Sequence, residues 1–333
     1  MGVDRRWVWP AAIFVVIQLA GAVIMSARLS YSHAPPFYFY AKLLLQILAA
    51  GATLLLICGL VRAIYCRSSS PLLFTFEWLR GYLRRLPDLL IGFLLCWLQL
   101  SCLTWYKSMI PLTGPMWADV MLAGWDKALF GVDPGPALQQ PLKAYAGLID
   151  SLYAAWAFAL KLVLVLLLAD VRSQDRARLL LAFFLTIGLL GSWGQYLLPS
   201  GGPIYWQDLG LGDRFASIEP LPAVKVGKEY LWAAYRGHSV GFASGISAMP
   251  SIHVATTTWM LLTTWKQFRA ARLPMALFFV GITVGSVYTG WHYAVDAMAG
   301  ALGAVACYFL SAAIVDHAPI IWPALFSRKA EMA

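Results

Sequence analysis

Charged residues are scarce in this sequence, where Asp, Glu, Lys and Arg together make up 12% of the 333 residues. Soluble domains usually carry about 25%, so the shortage excludes an ordinary soluble protein with a charged surface. Hydrophobic residues make up 60% of the chain, and the mean hydropathy is +0.69. The composition therefore predicts an all-α integral membrane protein that crosses the bilayer several times.

Cysteine is also sparse, and its positions argue against a metal site. The five cysteines lie mostly within or beside apolar runs and lack the paired spacing of a zinc site, so we interpret them as packing residues. The formal net charge of +9 could indicate nucleic-acid binding. Because the basic residues fall mostly in alternate loops, membrane orientation explains the charge better. The membrane is therefore the expected partner, and nucleic acid is not.

The apolar runs predict about eight transmembrane helices. They cover residues 7–27, 39–64, 89–106, 144–169, 179–198, 250–266, 274–288 and 292–315. We interpret the first run as an uncleaved span rather than a signal peptide, because its apolar length exceeds a usual signal core. Three stretches, at residues 72–86, 117–131 and 231–236, predict short interfacial helices.

The whole chain, residues 1–333, is predicted to form one polytopic membrane domain. Its three parts are the N-terminal spans with a basic connection at 1–87, a helical core at 88–320, and a lid-like loop at 199–249. The lid prediction depends on length, since non-spanning segments as long as this one are usually functional or disordered.

Basic residues are unequally divided between the two predicted sides of the membrane. One set of connections, together with the two termini, holds fifteen of the 25 Lys and Arg residues, whereas the longer opposite loops hold nine and Lys161 lies in a span. The positive-inside rule then predicts that both termini are cytoplasmic. In a bacterium the protein would lie in the inner (plasma) membrane.

Two histidines and a carboxylate stand where two of these spans are predicted to begin, on the extracytoplasmic side. His253 follows Pro250, a residue favoured at the first position of a helix. His292 and Asp296 are four residues apart and are predicted to share one helix face. Interfacial caps or structural hydrogen bonds are the alternative interpretation. An ionisable residue inside a span costs about 2.5–3.5 kcal/mol on insertion scales, which makes function the default hypothesis for Asp296.

The two elements, Pro-Ser-x-His at residues 250–253 and His-Tyr-x-x-Asp at residues 292–296, resemble those of the type 2 phosphatidic acid phosphatase superfamily. Within the superfamily, the sequence most resembles the branch of inositol phosphorylceramide synthases and their bacterial relatives. The Gly-Pro-Ile-Tyr turn at 202–205 and the Leu-Phe-Gly segment after Asp126 also resemble this branch. The resemblance implies a six-helix catalytic core. It also implies that the histidine of His-Tyr-x-x-Asp attacks phosphorus and that of Pro-Ser-x-His is the acid and base.

Physical chemistry of the helix starts leads to the same assignment. A helix N-terminus offers unpaired N–H groups and partial positive charge, so two converging ends would bind a phosphate. The hypothesis makes His292 the nucleophile, Asp296 the group that holds its tautomer, and His253 the proton donor and later acceptor. The reaction would pass through a phosphohistidine and need neither a metal nor another cofactor.

Weaker candidates for substrate contacts come from the motifs, the loops and one span. They are Ser251, Tyr293, Gly202, Tyr205, Arg236, Lys161 and Asp126. Ordinary alternatives exist: the glycine pair can be a plain turn, the span lysine can snorkel, and Asp126 can lie on the surface of an interfacial helix. In the lid, Lys225, Lys228 and His238 are further candidate anion contacts.

Two phosphate-gripping groups of the wider superfamily are not recognised in the sequence. No Lys-x6-Arg-Pro element is found, and Ser286 stands where the resemblance implies an arginine. The favoured function is therefore a lipid phosphotransferase, which moves a phosphoryl-headgroup from a phospholipid donor to a lipid hydroxyl acceptor, as in sphingolipid metabolism. The alternatives are a lipid or polyprenyl phosphate phosphatase, and a non-catalytic transporter or scaffold that uses the His/Asp cluster for proton relay or packing. The oligomeric state stays open.

Overall fold

The computed structural model describes residues 4–83, 86–169 and 175–321, and within these ranges the chain is helical with no β-strand. The first six helices are α1 (Val8–Arg28), α2 (Phe37–Tyr65), α3 (Pro71–Leu83), α4 (Leu86–Met109), α5 (Ala118–Phe130) and α6 (Pro134–Gln139). The next six are α7 (Ala146–Ala169), α8 (Arg176–Leu185), α9 (Pro222–Arg236), α10 (Ile252–Gln267), α11 (Arg272–Tyr288) and α12 (Ala294–Ile321). The predicted all-α class is confirmed.

Seven helices of the described ranges are long and apolar enough to cross a membrane, one fewer than predicted. The exception is α10, whose 16 residues extend about 24 Å at 1.5 Å per residue, short of a hydrocarbon core about 30 Å thick. All five threonines of α10 are buried, and α7, α8, α11 and α12 pack around it. Because α10 is surrounded by these four helices, protein rather than lipid covers most of its surface, and it does not need the apolar length of a full span.

Both motif helices begin later than the sequence predicts. Ser251 is the N-cap of α10, and its Oγ accepts a hydrogen bond of 3.3 Å from the Val254 N–H, so α10 begins at Ile252 and not at Pro250. The last helix, α12, begins at Ala294 rather than at His292. His292 therefore lies in the turn between α11 and α12, and the predicted shared helix face with Asp296 is wrong.

The predicted interfacial stretches correspond to α3, α5 and α9. The third is longer than predicted, because α9 begins at Pro222, a residue suited to the first turn of a helix. Five residues of the predicted basic connections and C-terminus, Arg84, Arg85, Arg172, Arg328 and Lys329, lie outside the described ranges.

The helices that carry the two motifs are held by α8 and its extension. This helix continues through a π-helical segment, Thr186–Trp193, and packs against both α10 and α12. The Trp259 indole N–H of α10 donates to the Leu179 carbonyl of α8 at 2.8 Å, and the Ser311 hydroxyl of α12 donates to the Arg178 carbonyl at 2.7 Å. Interhelical hydrogen bonds of this kind contribute about 0.6 kcal/mol each in membranes, in addition to close packing.

The N-terminal helix packs into the same bundle. Gln18 of α1 and Gln99 of α4 exchange two amide hydrogen bonds of 3.2 and 3.0 Å, and both side chains are fully buried. Near the other end of α1, the Trp7 ring stacks on Phe184 of α8 with centroids 5.9 Å apart. Because α1 is tied to α4 in this way, it helps to fix the position of a helix that reaches the candidate site.

Candidate active site

The two motif histidines meet. His253 lies in the first turn of α10, His292 lies in the turn before α12, and His253 Nδ1 is 3.3 Å from His292 Nε2. Both side chains line a cavity of about 300 Å³. The structure therefore brings the two distant motifs together, as predicted. His253 lies in its helix, whereas His292 lies in the turn before its helix.

The His292 ring is oriented chiefly by the main chain. Its Nδ1 is 2.8 Å from the Ala248 carbonyl oxygen, and since a carbonyl can only accept, Nδ1 carries the proton. A neutral His292 then presents the lone pair of Nε2 toward His253 and the cavity. The sequence missed this carbonyl, because nothing in a motif signals which main-chain group a side chain will reach.

Asp296 is fully buried in the first turn of α12. Its Oδ2 accepts a 2.9 Å hydrogen bond from the Tyr293 N–H and lies 3.8 Å from His292 Nδ1. That distance is beyond a hydrogen bond but close enough for the carboxylate to stabilise a positive charge on the imidazole. Among the described residues its second oxygen, Oδ1, has no hydrogen-bond partner.

Aromatic rings from α7 fix the orientation of His253. The Tyr153 ring is centred 4.7 Å from the His253 ring, and the Trp156 ring is 4.3 Å away. Trp156 is itself held, because its indole N–H donates to Thr256 Oγ1 at 3.0 Å. Both rings lie in the wall of the cavity. His253 therefore packs against two aromatic rings, and its polar contact is His292.

A buried carboxylate of α5 connects the turn at Gly201 and Gly202 to the turn before α12 that carries His292 and Tyr293. Asp119 Oδ2 accepts from the Gly201 N–H at 2.8 Å, and Oδ1 accepts from the Gly202 N–H at 2.9 Å and from the Tyr293 hydroxyl at 2.8 Å. The N–H of Gly202, a predicted substrate contact, is thus used within the protein, as is that of Gly201. Burial raises the pKa of the Asp119 carboxyl, and its hydrogen bonds oppose the rise.

A second carboxylate of α5, two turns further on, holds the start of α12. Asp126 Oδ2 accepts from the Ala294 N–H at 2.8 Å and Oδ1 from the Val295 N–H at 2.9 Å. Burial is also the main influence on its pKa, which is raised. Asp126 does not line the cavity, so the structure offers no support for the predicted substrate contact. Its carboxylate instead accepts hydrogen bonds from N–H groups that the start of a helix leaves unpaired.

The remaining predicted contacts lie outside the cavity wall. Tyr205 is fully buried, stacks on Trp232 of α9 and donates its hydroxyl hydrogen to the Lys228 carbonyl at 3.1 Å, so it ties the turn at 202–205 to α9. Arg236 is exposed at the end of α9, and Lys161 lies mid-way along α7 without lining the cavity.

The motif neighbours and the other lid candidates are similarly placed away from the cavity. The Ser251 side chain caps α10 and the Tyr293 hydroxyl binds Asp119, as described above. Lys228 pairs with Asp208 at 2.8 Å. Lys225 and His238 are exposed. None of these side chains is among those lining the cavity in the described ranges.

The cavity contains a cation that the sequence did not suggest. Lys107, at the end of α4, lines the wall with both histidines, and no carboxylate of the described residues lies within ion-pair distance of its ammonium group. A signal was present: Lys107 is followed after six residues by Gly114-Pro115. The chain therefore has a Lys-x6-Gly-Pro element, which keeps the lysine and proline of Lys-x6-Arg-Pro and has glycine in place of the arginine.

Several other polar residues of the cavity wall also escaped sequence analysis, and three of them matter below. They are Asp150 of α7, Gln195 in the turn after the π-helical segment, and Ser247 in the loop before α10. None belongs to a motif, and they come together only because α7, α8 and that loop meet around the histidines.

A family model described as PAP2 superfamily matches residues 120–310, more than half of the chain and the part that contains both histidine motifs. Searches of the curated proteins and of the solved structures found no match. Lys107 and Asp119 precede the matched region.

Proposed function

The chain belongs to the PAP2 superfamily and is a membrane-embedded enzyme of the phosphatase or phosphotransferase type, and we propose that it moves a phosphoryl-headgroup from a phospholipid to a lipid hydroxyl through a phosphohistidine. The observation that carries the proposal is the 3.3 Å contact between His253 Nδ1 and His292 Nε2 in a cavity that Lys107 also lines. The two nitrogens face the same point of the cavity, so a nucleophile and a proton donor can act on one phosphoryl group.

In the first step His292 Nε2 attacks phosphorus. The P–N bond forms as the P–O bond to the leaving alcohol breaks, and His253 gives that oxygen a proton. The positive charge that develops on His292 is stabilised by Asp296, 3.8 Å from Nδ1, while the Ala248 carbonyl keeps the ring in place. Lys107 offsets charge on the phosphoryl oxygens.

The second step reverses these roles. The acceptor hydroxyl loses its proton to His253, the resulting oxygen attacks phosphorus, and the P–N bond to His292 breaks. One side chain serves as acid and then base because the two steps run in opposite directions. Both histidines return to their starting protonation states.

The site supports a second candidate, hydrolysis of a lipid phosphate, in which water replaces the acceptor hydroxyl. The observation in its favour is Lys107, because the Lys-x6-Gly-Pro spacing retains half of the phosphate grip that the phosphatases of the superfamily use. The two reactions differ in product: hydrolysis releases phosphorus into water, whereas transfer leaves it on a second lipid. The finer assignment to an inositol phosphorylceramide synthase-like branch stays a prediction.

The test uses the full-length protein in lipid nanodiscs and donors labelled at phosphorus. Wild type is expected to form an acid-labile, base-stable labelled protein, and His292→Ala to form none and to lose all turnover. His253→Ala should slow both steps. His317→Ala, which removes an exposed histidine of α12, is the matched control and should behave as wild type. Full turnover in His292→Ala would refute the mechanism, and phosphorus found only in water would favour the phosphatase.

The sidedness of the site is part of the proposal. The unequal division of basic residues supports cytoplasmic termini and an extracytoplasmic cavity. Seven spans would place the two termini on opposite sides of the membrane. However, His253 at the start of α10 contacts His292 just after α11, so the chain that leaves the site along α10 returns to it along α11. Counting α10 and α11 as two crossings gives eight in total, an even number, which agrees with the cytoplasmic termini that the charges support.

A further inference from the structure

Buried polar atoms without hydrogen-bond partners are concentrated in the wall of the catalytic cavity. Ten such side-chain atoms occur in the described part of the chain, and five of them belong to residues that line this cavity. They are Asp150 Oδ1, Tyr153 Oη, Gln195 Oε1, Gln195 Nε2 and Ser247 Oγ. A buried polar group that lacks a partner is destabilising, so a cluster of them indicates groups kept for a ligand.

These atoms belong to side chains held by the fold. Gln195 is 1% exposed and Ser247 is 9% exposed, so neither is solvated at the surface. Asp150 is positioned through its other oxygen, Oδ2, which accepts a 3.2 Å hydrogen bond from the Ala223 N–H at the start of α9. The carboxylate thus contacts the lid with one oxygen and keeps the second for the cavity.

The cluster lies beside the proton donor of the proposed reaction. Asp150 and Tyr153 are three residues apart on α7 and therefore neighbours on one helix face, and the Tyr153 ring is 4.7 Å from the His253 ring. His253 protonates the oxygen that joins phosphorus to the leaving alcohol. The headgroup stays on phosphorus when that alcohol leaves. Because the α7 side chains line the same cavity as the two histidines, the headgroup extends toward the α7 face.

The chemistry of the cluster selects the ligand. A carboxylate oxygen and an amide oxygen only accept hydrogen bonds, while the tyrosine and serine hydroxyls can do either. A headgroup with hydroxyls or a primary ammonium would donate to these acceptors. A trimethylammonium group has no N–H or O–H, so it would leave the acceptor oxygens of the cluster without a hydrogen-bond donor.

We propose that Asp150, Tyr153, Gln195 and Ser247 form a headgroup subsite that takes phospholipids whose headgroup donates hydrogen bonds, by hydroxyl or primary ammonium, and disfavours choline. The proposal deepens the function proposed above, since it rests on phosphoryl transfer at His253 and His292. The preference itself is a property of binding, so it can be measured without turnover.

The experiment measures binding to the full-length His292→Ala protein, which cannot turn over. The probes are dihexanoyl phosphatidylglycerol, phosphatidylethanolamine and phosphatidylcholine, titrated by calorimetry in detergent. We expect the glycerol or ethanolamine lipid to bind about tenfold more tightly than the choline lipid. The glycerol and ethanolamine arms show whether hydroxyl or ammonium is the group recognised. Equal affinity for all three lipids overturns the proposal.

Asp150→Asn in the same background tests the residue. The substitution keeps an oxygen for the Ala223 N–H but turns the cavity-facing group into a donor, so the preference should fall to less than about threefold. Asp213→Asn, which changes an exposed carboxylate, should keep the full preference. A preference unchanged in Asp150→Asn refutes the role of Asp150.

Tyr153→Phe provides a second route if Asp150→Asn does not elute as a folded protein. It keeps the ring contact with His253 and removes only the hydroxyl, so the preference should fall about threefold, and no fall overturns the subsite. Failure of the proposed function would look different. A His292→Ala enzyme with wild-type turnover would reject the phosphohistidine and leave the binding preference standing.

Discussion

Asp126→Ala should loosen the start of α12 and slow catalysis, although Asp126 touches no cavity atom. Its two carboxylate oxygens accept from the Ala294 and Val295 N–H groups at 2.8 and 2.9 Å, and the side chain is 3% exposed. Alanine would leave both N–H groups buried and unpaired. The first consequence is a loss of stability at one end of one helix, close to the turn that carries His292.

The size of that loss follows from the hydrogen bonds. Each buried N–H left without an acceptor costs about 1–3 kcal/mol, and loss of a helix cap costs about 1 kcal/mol in soluble proteins. For two N–H groups we expect about 2–4 kcal/mol in Asp126→Ala. Asp126→Asn keeps one acceptor oxygen and should lose about half as much.

Catalysis should respond more strongly than stability. His292 is two residues before Ala294, and a shift of about 1 Å in a reacting group can lower the rate about a hundredfold. We therefore expect a fall in kcat with a smaller change in KM, because the cavity wall that binds substrate is unchanged. Asp126→Asn should lie between alanine and wild type in both stability and kcat.

The assay combines thermal unfolding in detergent, followed by tryptophan fluorescence, with turnover of a labelled donor lipid. Asp213→Ala, which removes an exposed carboxylate, is the control and should match wild type. If Asp126→Ala unfolds at the wild-type temperature and keeps kcat within about twofold, the reasoning that α5 positions His292 is wrong.

Three other perturbations test separate parts of the argument. Gly202→Ala should lower the free energy of unfolding by about 1–3 kcal/mol and abolish most activity, because its φ is +87° and a Cβ would lie 2.5 Å from the Trp291 carbonyl oxygen, in the turn that carries His292. Gly212→Ala, at φ +93° in open space, is the control and should have a milder effect. Equal effects of the two substitutions would show that backbone strain alone matters. Lys107→Gln should lower kcat/KM about tenfold to a hundredfold through loss of a charged contact to phosphate, whereas an unchanged value would remove Lys107 from the mechanism. With the native cysteines replaced by alanine, a membrane-impermeant maleimide added to intact cells should label Asp213→Cys but not Arg269→Cys; the reverse pattern would invert the proposed topology.

Much of the fold was predictable because it depends on local pattern. Apolar runs of about 20 residues and the breaks between them indicate the spans directly. The exception is α10, and the reason is physical: hydropathy detects an apolar run, but it does not tell whether lipid or protein surrounds it. Only the packing of α10 against four other helices distinguishes a short central helix from a full crossing.

The site was predictable only where residues are close in sequence or belong to a motif. The motifs identify His253, His292 and Asp296, which the structure brings together. The α5 carboxylates were harder, because Asp119 and Asp126 act on main-chain N–H groups more than 80 residues away, and no side-chain pattern reveals such partners. Lys107 was missed for a different reason: glycine replaces the arginine that makes its motif recognisable.

Lys107 also shows how the region before residue 120 bears on the chemistry. It reaches the cavity as the end of α4, and α4 is fixed to α1 through the Gln18–Gln99 amide pair. On its other side the chain at Gly245, with φ +102°, packs so closely that a Cβ there would lie 2.7 Å from the Lys107 carbonyl carbon. The loop that leads into α10 therefore packs against Lys107, the residue proposed to offset the negative charge of the phosphoryl group. Because protein interiors are closely packed, we expect a movement of that loop to shift the end of α4 and with it Lys107. On the proposed mechanism, the N-terminal helices would then support catalysis by keeping α4 in place.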